Sequence, residues 1–525
     1  MSFELLPYTS DNLLNCLVNE SKYTSIETIV AKRHKHYFDQ YLVEIGAKTI
    51  VIENDYIDRD YLEDYAAYYD RCFTDYPRRT RRLHFFSLEF KNVEFESKIA
   101  STPKSDSDSE LQENYLGFIV VKPLPITIIG RTCLKTYGTD GGRRQFPSLR
   151  AYPVNLFGIE LEVTSLAYQE QDTVVAACAT SALWTCLHGT GKLFQHPIPA
   201  PVAITSWAGD QMPENLLSAG ARTFPNNGLT AKQMAHAIKR VDLEPYVVRA
   251  GQPYGLNSVI YAYLRGRIPS ILSCQVSSFD DGEEKLIGPH SVAVTGFSLS
   301  EKDIEFYEEM SFKLRAARID KFYVHDDQTG PFSRMTWQNL PSPLQMGLEF
   351  KEKGLQSSWS ETTFAMPDFL LLPLYHKIRI PFSLIHDAMA ALDTALVATV
   401  ESEIEKDCWD IPLQRAEWDI YLTTVNDYKK SVRSEYIAAG LDPTPSLHLD
   451  LPRFLWRVIA RSSGVLSLDV LFDATGIAQH NLLLHVNATD GAYPQALRRL
   501  AQPQYKNSMN ILPLQARVLA EVFSG

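Results

Sequence analysis

The stretch Gln169 to Gly189, QEQDTVVAACATSALWTCLHG, sets one of the chain's 7 cysteines, Cys178, among small residues where an extended segment gives way to a helical pattern. A cysteine nucleophile acts as its thiolate, and the free thiol, with a pKa of about 8.5, needs a helix N-terminus or a nearby imidazolium to reach that form at neutral pH. Ala179, Ala182, Leu183, Cys186 and Leu187 fall on one helical stripe, which Gly189 is expected to end. Cys178 therefore stands at the positive pole of the expected helix. A thiolate also needs a proton carrier and a place for an oxyanion. His290 heads the run Gly288-Pro-His-Ser-Val-Ala-Val-Thr-Gly296, and Asp326 and Asp327 close Tyr323-Val-His-Asp-Asp-Gln-Thr-Gly330. An imidazole and a carboxylate at the ends of neighbouring strands can line up at one rim of a sheet.

Those residues need helices and strands to hold them. Leu229-Thr-Ala-Lys-Gln233-Met234 reads as a helix start, with Thr230 and Gln233 as a capping box and Leu229 stapling Met234. A second helix is expected from Asn257 to Gly266, followed by strands at Ile268–Val276, Ser291–Phe297 and Lys321–His325. Upstream, a helix is expected over Asp60–Phe73, strands over Leu83–Phe90 and Tyr115–Val121, and a mobile polar loop over Ser101–Glu113. Downstream the pattern turns mostly helical, with helices at Phe382–Glu405 and Leu451–Arg461 around a strand at Glu417–Val425. The expected division is an N-terminal α/β region over 1–155, a catalytic α+β domain over 156–375 and a mainly helical region over 376–525.

Composition excludes several classes. At 525 residues the chain exceeds one ordinary core, and 45% hydrophobic with 22% charged residues is a globular balance. The net charge of −12 leaves no basic footprint for nucleic acid, and no run approaches a membrane span. The N-terminus lacks the basic and apolar regions of a signal peptide, so a cytoplasmic protein is expected, and the Asn19-Glu-Ser21 and Asn487-Ala-Thr489 triplets carry no weight as glycosylation sites. The cysteines are odd in number and contain no C-x-x-C pair, which argues against a disulfide framework or a thiolate zinc site. His34-Lys-His36 reads as a surface helix face, Cys186 as core, and Asp280-Asp-Gly-Glu-Glu284 as a solvated acidic loop near His290.

Glutamine, then cysteine at a helix start, then His-x-Val-x-Val-x-Gly-Phe, then Asp-x-x-x-Gly resembles the papain-like cysteine peptidase superfamily, especially its bacterial arm similar to bacteriocin-leader-processing peptidases. The resemblance spans about 156–340. It implies a papain-like core, with the cysteine helix packed on an antiparallel sheet carrying histidine and aspartate. It also implies Cys178 as nucleophile, His290 as base then acid, Asp326 as the group orienting the imidazole with Asp327 as fallback, and Gln171 sharing the oxyanion hole with the Cys178 N–H. Gln171 lies seven residues before Cys178, where the family places its glutamine six before; Asp172 fills that slot, and Gln169 is an alternative. The implied activity is hydrolysis of peptide or isopeptide bonds in a polypeptide substrate, without cofactor or metal. The alternatives are transglutaminase-like acyl transfer or amidase chemistry, and a noncatalytic peptide-binding scaffold. The long flanks suggest a regulatory protein partner.

Overall fold

The computed structural model describes residues 3–18, 24–102, 106–172, 174–175, 177–211, 228–280, 283–301, 312–346, 349–358, 360–404, 415–477 and 482–489, with 495 and 498. Cys408 and the Asn19–Ser21 triplet lie outside them. The chain forms two units: Met1–Gly251 with Arg267–Ser298 and Asp320–Leu374, and Gln252–Gly266 with Leu299–Ile319 and Tyr375–Gly525.

The first unit opens with an antiparallel sheet in the order of the chain: β1 (Phe3–Pro7), β2 (Thr49–Tyr56), β3 (Thr80–Phe86), β4 (Tyr115–Val121) and β5 (Ile129–Leu134). Helices α1 (Ser10–Leu17), α2 (Ile26–Val30), α3 (Arg33–Glu44), α4 (Arg59–Ala67), α5 (Asn92–Ile99) and α6 (Asp106–Asn114) fill the connections. The loop expected over 101–113 is thus helical from Asp106 onward. Leu111 is fully buried, and the Gln112 amide pairs with both backbone groups of Glu162, so tertiary contacts overrule a polar composition.

Strands β6 (Arg144–Gln145), β7 (Arg150–Leu156) and β8 (Ile159–Ser165) lead to α7 (Cys178–Phe194), α8 (Pro201–Gly209) and α9 (Ala231–Lys239), the last opened by the Thr230/Gln233 capping box. β9 (Leu243–Arg249) then precedes β10 (Ser270–Asp280), β11 (Glu283–Leu299), β12 (Ile319–Asp326), β13 (Gly330–Met346), β14 (Glu349–Ser357) and β15 (Thr363–Tyr375). These last six follow one another in the sheet, and β15 pairs back onto β10, so the six strands close into a ring. β6 adds to β11 and β9 to β15.

The boundary expected near 155 falls inside this unit. One hydrophobic cluster joins Leu13, Phe38, Ile50 and Leu83 to Leu166, Tyr168, Tyr323 and Phe332, so the N-terminal sheet and the strand ring share a core.

In the second unit, α10 (Pro253–Arg265) and α11 (Phe382–Ile404) accompany a four-stranded sheet of β16 (Glu417–Thr424), β17 (Phe454–Ser462), β18 (Val465–Asp473) and β19 (Leu483–Ala488), with α12 (Val425–Ala438) and α13 (Thr444–Leu447). The helix expected over 451–461 is the strand β17 instead. Its residues Phe454 to Ala460 are all buried between β16 and β18, where β-branched and aromatic side chains pack on both faces, and Pro452 precedes a strand rather than a helix. The fully buried Arg457 is held by Asp469 at 2.8 Å and Glu435 at 3.1 Å. No helix among the described residues is long and apolar enough to cross a membrane.

Candidate active site

Cys178 is the first residue of α7 and half-buried, and its thiol is among the groups that raise the pKa of His290. Ala177, with φ −63° and ψ 171°, stands at the N-cap and supplies no side-chain acceptor. The N-cap therefore gives the first-turn N–H groups beside the sulfur no side-chain acceptor. The helix does not stop at Gly189. It runs to Phe194 and ends on Gln195 in the left-handed region at φ 60°. Gly189 serves a close approach: a Cβ there would lie 2.7 Å from Pro269 Cγ.

His290 sits on β11 where the strand passes from exposed to buried residues, paired with Cys274 on β10. Its Nε2 is 3.0 Å from Asp326 Oδ1 and 3.8 Å from Asp327 Oδ1. Asp326, at the end of β12, also accepts from the Gln328 N–H at 3.1 Å and the Thr329 hydroxyl at 3.0 Å. Burial works against the charged imidazole, but the hydrogen bonds to Asp326 and Cys178 and the charge of Asp327 outweigh it and hold the pKa well above the usual histidine range. Asp326 moves the opposite way: burial pushes its pKa up, and the His290 hydrogen bond and charge bring it below the ordinary aspartate value. Asp327 is 3% exposed, its carboxylate oxygens find no hydrogen-bond partner among the described residues, and burial lifts its pKa to about 7 with the neighbouring Asp326 charge adding to the effect. Of the two carboxylates, Asp326 is the one within hydrogen-bond distance of the ring.

The other thiols provide a contrast. Burial pushes Cys16 up to about 11 and Cys133 to about 12, and lifts Cys186 and Cys274 further still. Buried thiols of this kind are inert. Cys186 is core, as its place in the helical stripe implied.

Gln171 lies half-buried in the stretch before the helix, Gln169 is buried, and no hydrogen bond among the described residues joins either to Cys178. Asp172, in the slot the resemblance reserves for glutamine, is committed elsewhere. It accepts from the Tyr69 hydroxyl at 2.5 Å and from the N–H groups of Val174 and Val175, which turns the chain toward Cys178. A carboxylate only accepts, so Asp172 is no oxyanion donor.

The sequence reading missed a second layer. His34 on α3 is buried, not on a surface face; its Nε2 is 2.9 Å from the Asp327 carbonyl and 2.9 Å from the Tyr168 hydroxyl. Lys32 pairs with Glu170, which accepts from the Ile128 and Ile129 N–H groups at 3.0 and 3.1 Å. The signal was present: His34, Tyr37, Phe38, Tyr41 and Leu42 share a buried stripe at helical spacing. His325 is also buried, and burial lowers its pKa to about 3.

Among the described residues, His290, Asp326 and Asp327 are the one group whose ligand-type atoms all lie within 4.8 Å of one another. Two of them are already joined by the imidazole–carboxylate hydrogen bond. No family model, curated protein or solved structure matches the chain.

Proposed function

We propose that the chain is a papain-like thiol hydrolase that cleaves peptide or isopeptide bonds in a polypeptide substrate. The observation that carries the reading is the line Cys178–His290–Asp326, with the sulfur at the start of α7 and the carboxylate 3.0 Å from Nε2. Supporting it are the ring of antiparallel strands that holds the histidine and aspartate and the inertness of the other buried thiols.

In the reaction, the Cys178 thiolate attacks the substrate carbonyl carbon and the π electrons move to oxygen. The oxyanion is met by the Cys178 N–H and other first-turn donors, with Gln171 or Gln169 as a further donor. The tetrahedral species collapses, the C–N bond breaks, and the His290 imidazolium gives its proton to the departing amine. Water then gives a proton to His290 and adds to the thioester, and collapse of that second species releases the acid and the thiolate. Asp326 keeps the ring in the donating orientation and stabilises its charged form. The steps need no cofactor. An amine in place of water gives acyl transfer, the alternative outcome of the same intermediate.

A fluoromethyl ketone or iodoacetamide tests the reading by labelling followed by peptide mass spectrometry. Cys178 should label faster than Cys72, and His290→Ala should abolish the difference. Labelling no faster than at Cys72 favours the noncatalytic scaffold. Comparison of cellular proteins after expression of wild type and Cys178→Ala then separates new termini, which indicate hydrolysis, from new isopeptide links, which indicate transfer.

A further inference from the structure

The residues of the thiol site come from three segments far apart in the chain: His290 from β11, Cys178 from the stretch that runs through Tyr168 and Glu170, and Asp326 from the turn that leads to Gly330; the last two concern the start of α3. Neither segment is secured by its own residues alone. The start of α3 reaches both. Lys32, at its N-cap, pairs with Glu170, with side chains only 14% and 7% exposed. Two residues on, His34 Nε2 lies 2.9 Å from the Asp327 carbonyl and 2.9 Å from the Tyr168 hydroxyl. A carbonyl oxygen can only accept, so the His34 contact is an Nε2–H donor bond. One turn further, the Tyr37 hydroxyl donates to the Pro331 carbonyl, and its ring covers Gly330 so closely that a Cβ there would lie 2.2 Å from it. The acid turn is thus pinned at residues 327 and 331, on either side of the hydrogen bonds that aim Asp326. The segment leading to the nucleophile is pinned at residues 168 and 170.

We propose that Lys32 and His34 are positioning residues of the thiol site: they hold the Asp326 turn in register with the segment that leads to Cys178, and so set the alignment of the Cys178–His290–Asp326 line without touching a reacting atom. The inference rests on the thiol-hydrolase reading. It gives the N-terminal region a direct part in reactivity. Misplacement by about 1 Å can cost on the order of 100-fold in rate when alignment is what matters.

The test uses the full chain and the iodoacetamide rate at Cys178, with Cys72 as internal control and thermal melting beside it. His34→Phe keeps the ring's bulk and removes the donor. It should slow Cys178 by roughly 10- to 100-fold and leave Cys72 unchanged, whereas His34→Gln, whose amide N–H reaches a similar position, should restore the rate to within about threefold of wild type. Lys32→Met provides a second route, in which Glu170 keeps its two backbone donors and thermal melting reports how far the fold is retained. It should slow Cys178, and Lys32→Arg should restore it. If wild-type Cys178 reacts quickly and His34→Phe and Lys32→Met react equally quickly, the thiol reading stands and the positioning role is overturned. A slowed rate that neither His34→Gln nor Lys32→Arg restores also overturns it. Wild-type Cys178 no faster than Cys72 removes the thiol reading, and this inference with it.

Discussion

Asp326→Asn isolates what the carboxylate does for the imidazole. The wild-type contact is a 3.0 Å hydrogen bond between His290 Nε2 and Asp326 Oδ1, with side chains 15% and 14% exposed. A hydrogen bond to a charged partner contributes about 1.5–3 kcal/mol, and a neutral one about 0.5–1.5 kcal/mol. Asparagine can still accept from the Gln328 N–H, 3.1 Å from Asp326 Oδ1, through its amide oxygen, while its NH2, in the place of Oδ2, can donate to the Thr329 hydroxyl 3.0 Å away, so the turn is retained and the charge is lost. The net loss is about 1–2 kcal/mol, or roughly 5- to 30-fold in the population of the thiolate–imidazolium pair. The sign follows from His290, whose pKa is raised by the hydrogen bonds to Asp326 and Cys178 and the Asp327 charge against the effect of burial; weakening that support makes the ring a poorer proton acceptor for the thiol. Alkylation of Cys178, followed by stopped-time mass spectrometry across pH, should fall by that factor near neutrality. A rate within twofold of wild type at every pH refutes the reasoning. So does a larger loss in Asp327→Asn, which makes the other carboxylate the orienting group.

The Asp327 carboxylate is buried without hydrogen-bond partners among the described residues and its pKa is raised to about 7, so its ionisation costs the folded state stability as pH climbs from about 4, the unfolded value, toward 7. Asp327→Asn should therefore raise the melting temperature relative to wild type more at pH 8 than at pH 4; equal differences at both would contradict this. Gly189→Ala sets a Cβ 2.7 Å from Pro269 Cγ in the middle of α7, and an overpacked contact of this kind costs about 1–3 kcal/mol, readable as a lower urea midpoint. An unchanged midpoint would mean the helix and Pro269 separate freely. Arg457→Ala leaves Asp469, 2% exposed, without its guanidinium and should destabilise the second unit by about 3–5 kcal/mol, whereas a loss under about 1 kcal/mol would mean that the buried carboxylate relaxes to solvent.

Several features were legible in local residue order because local order governs them. The capping box at Thr230 and Gln233 forms as read, strand β4 keeps the bounds its pattern suggested, and Cys178 begins a helix because small residues there pass into an apolar stripe. His290 and Asp326 could be named because the first heads and the second closes a run of strand-forming residues. Their hydrogen bond could not be read, since it depends on β11 and β12 being neighbours.

Other features were settled by partners far away in the chain. Gly189 lies inside α7 because Pro269 crosses there, Phe454–Ala460 is a strand because β16 and β18 pair along both of its edges, and Asp106–Asn114 is helical because Leu111 and Gln112 find β8 and the core. The same holds for His34. Its helical stripe is visible in sequence, but its bond to the Asp327 carbonyl, 293 residues away, exists only once the N-terminal helix and the strand ring share one core. Residue types and spacing determined which groups could do thiol chemistry; tertiary packing decided which of them meet, because contact between distant segments depends on the burial of surfaces that no local pattern encodes.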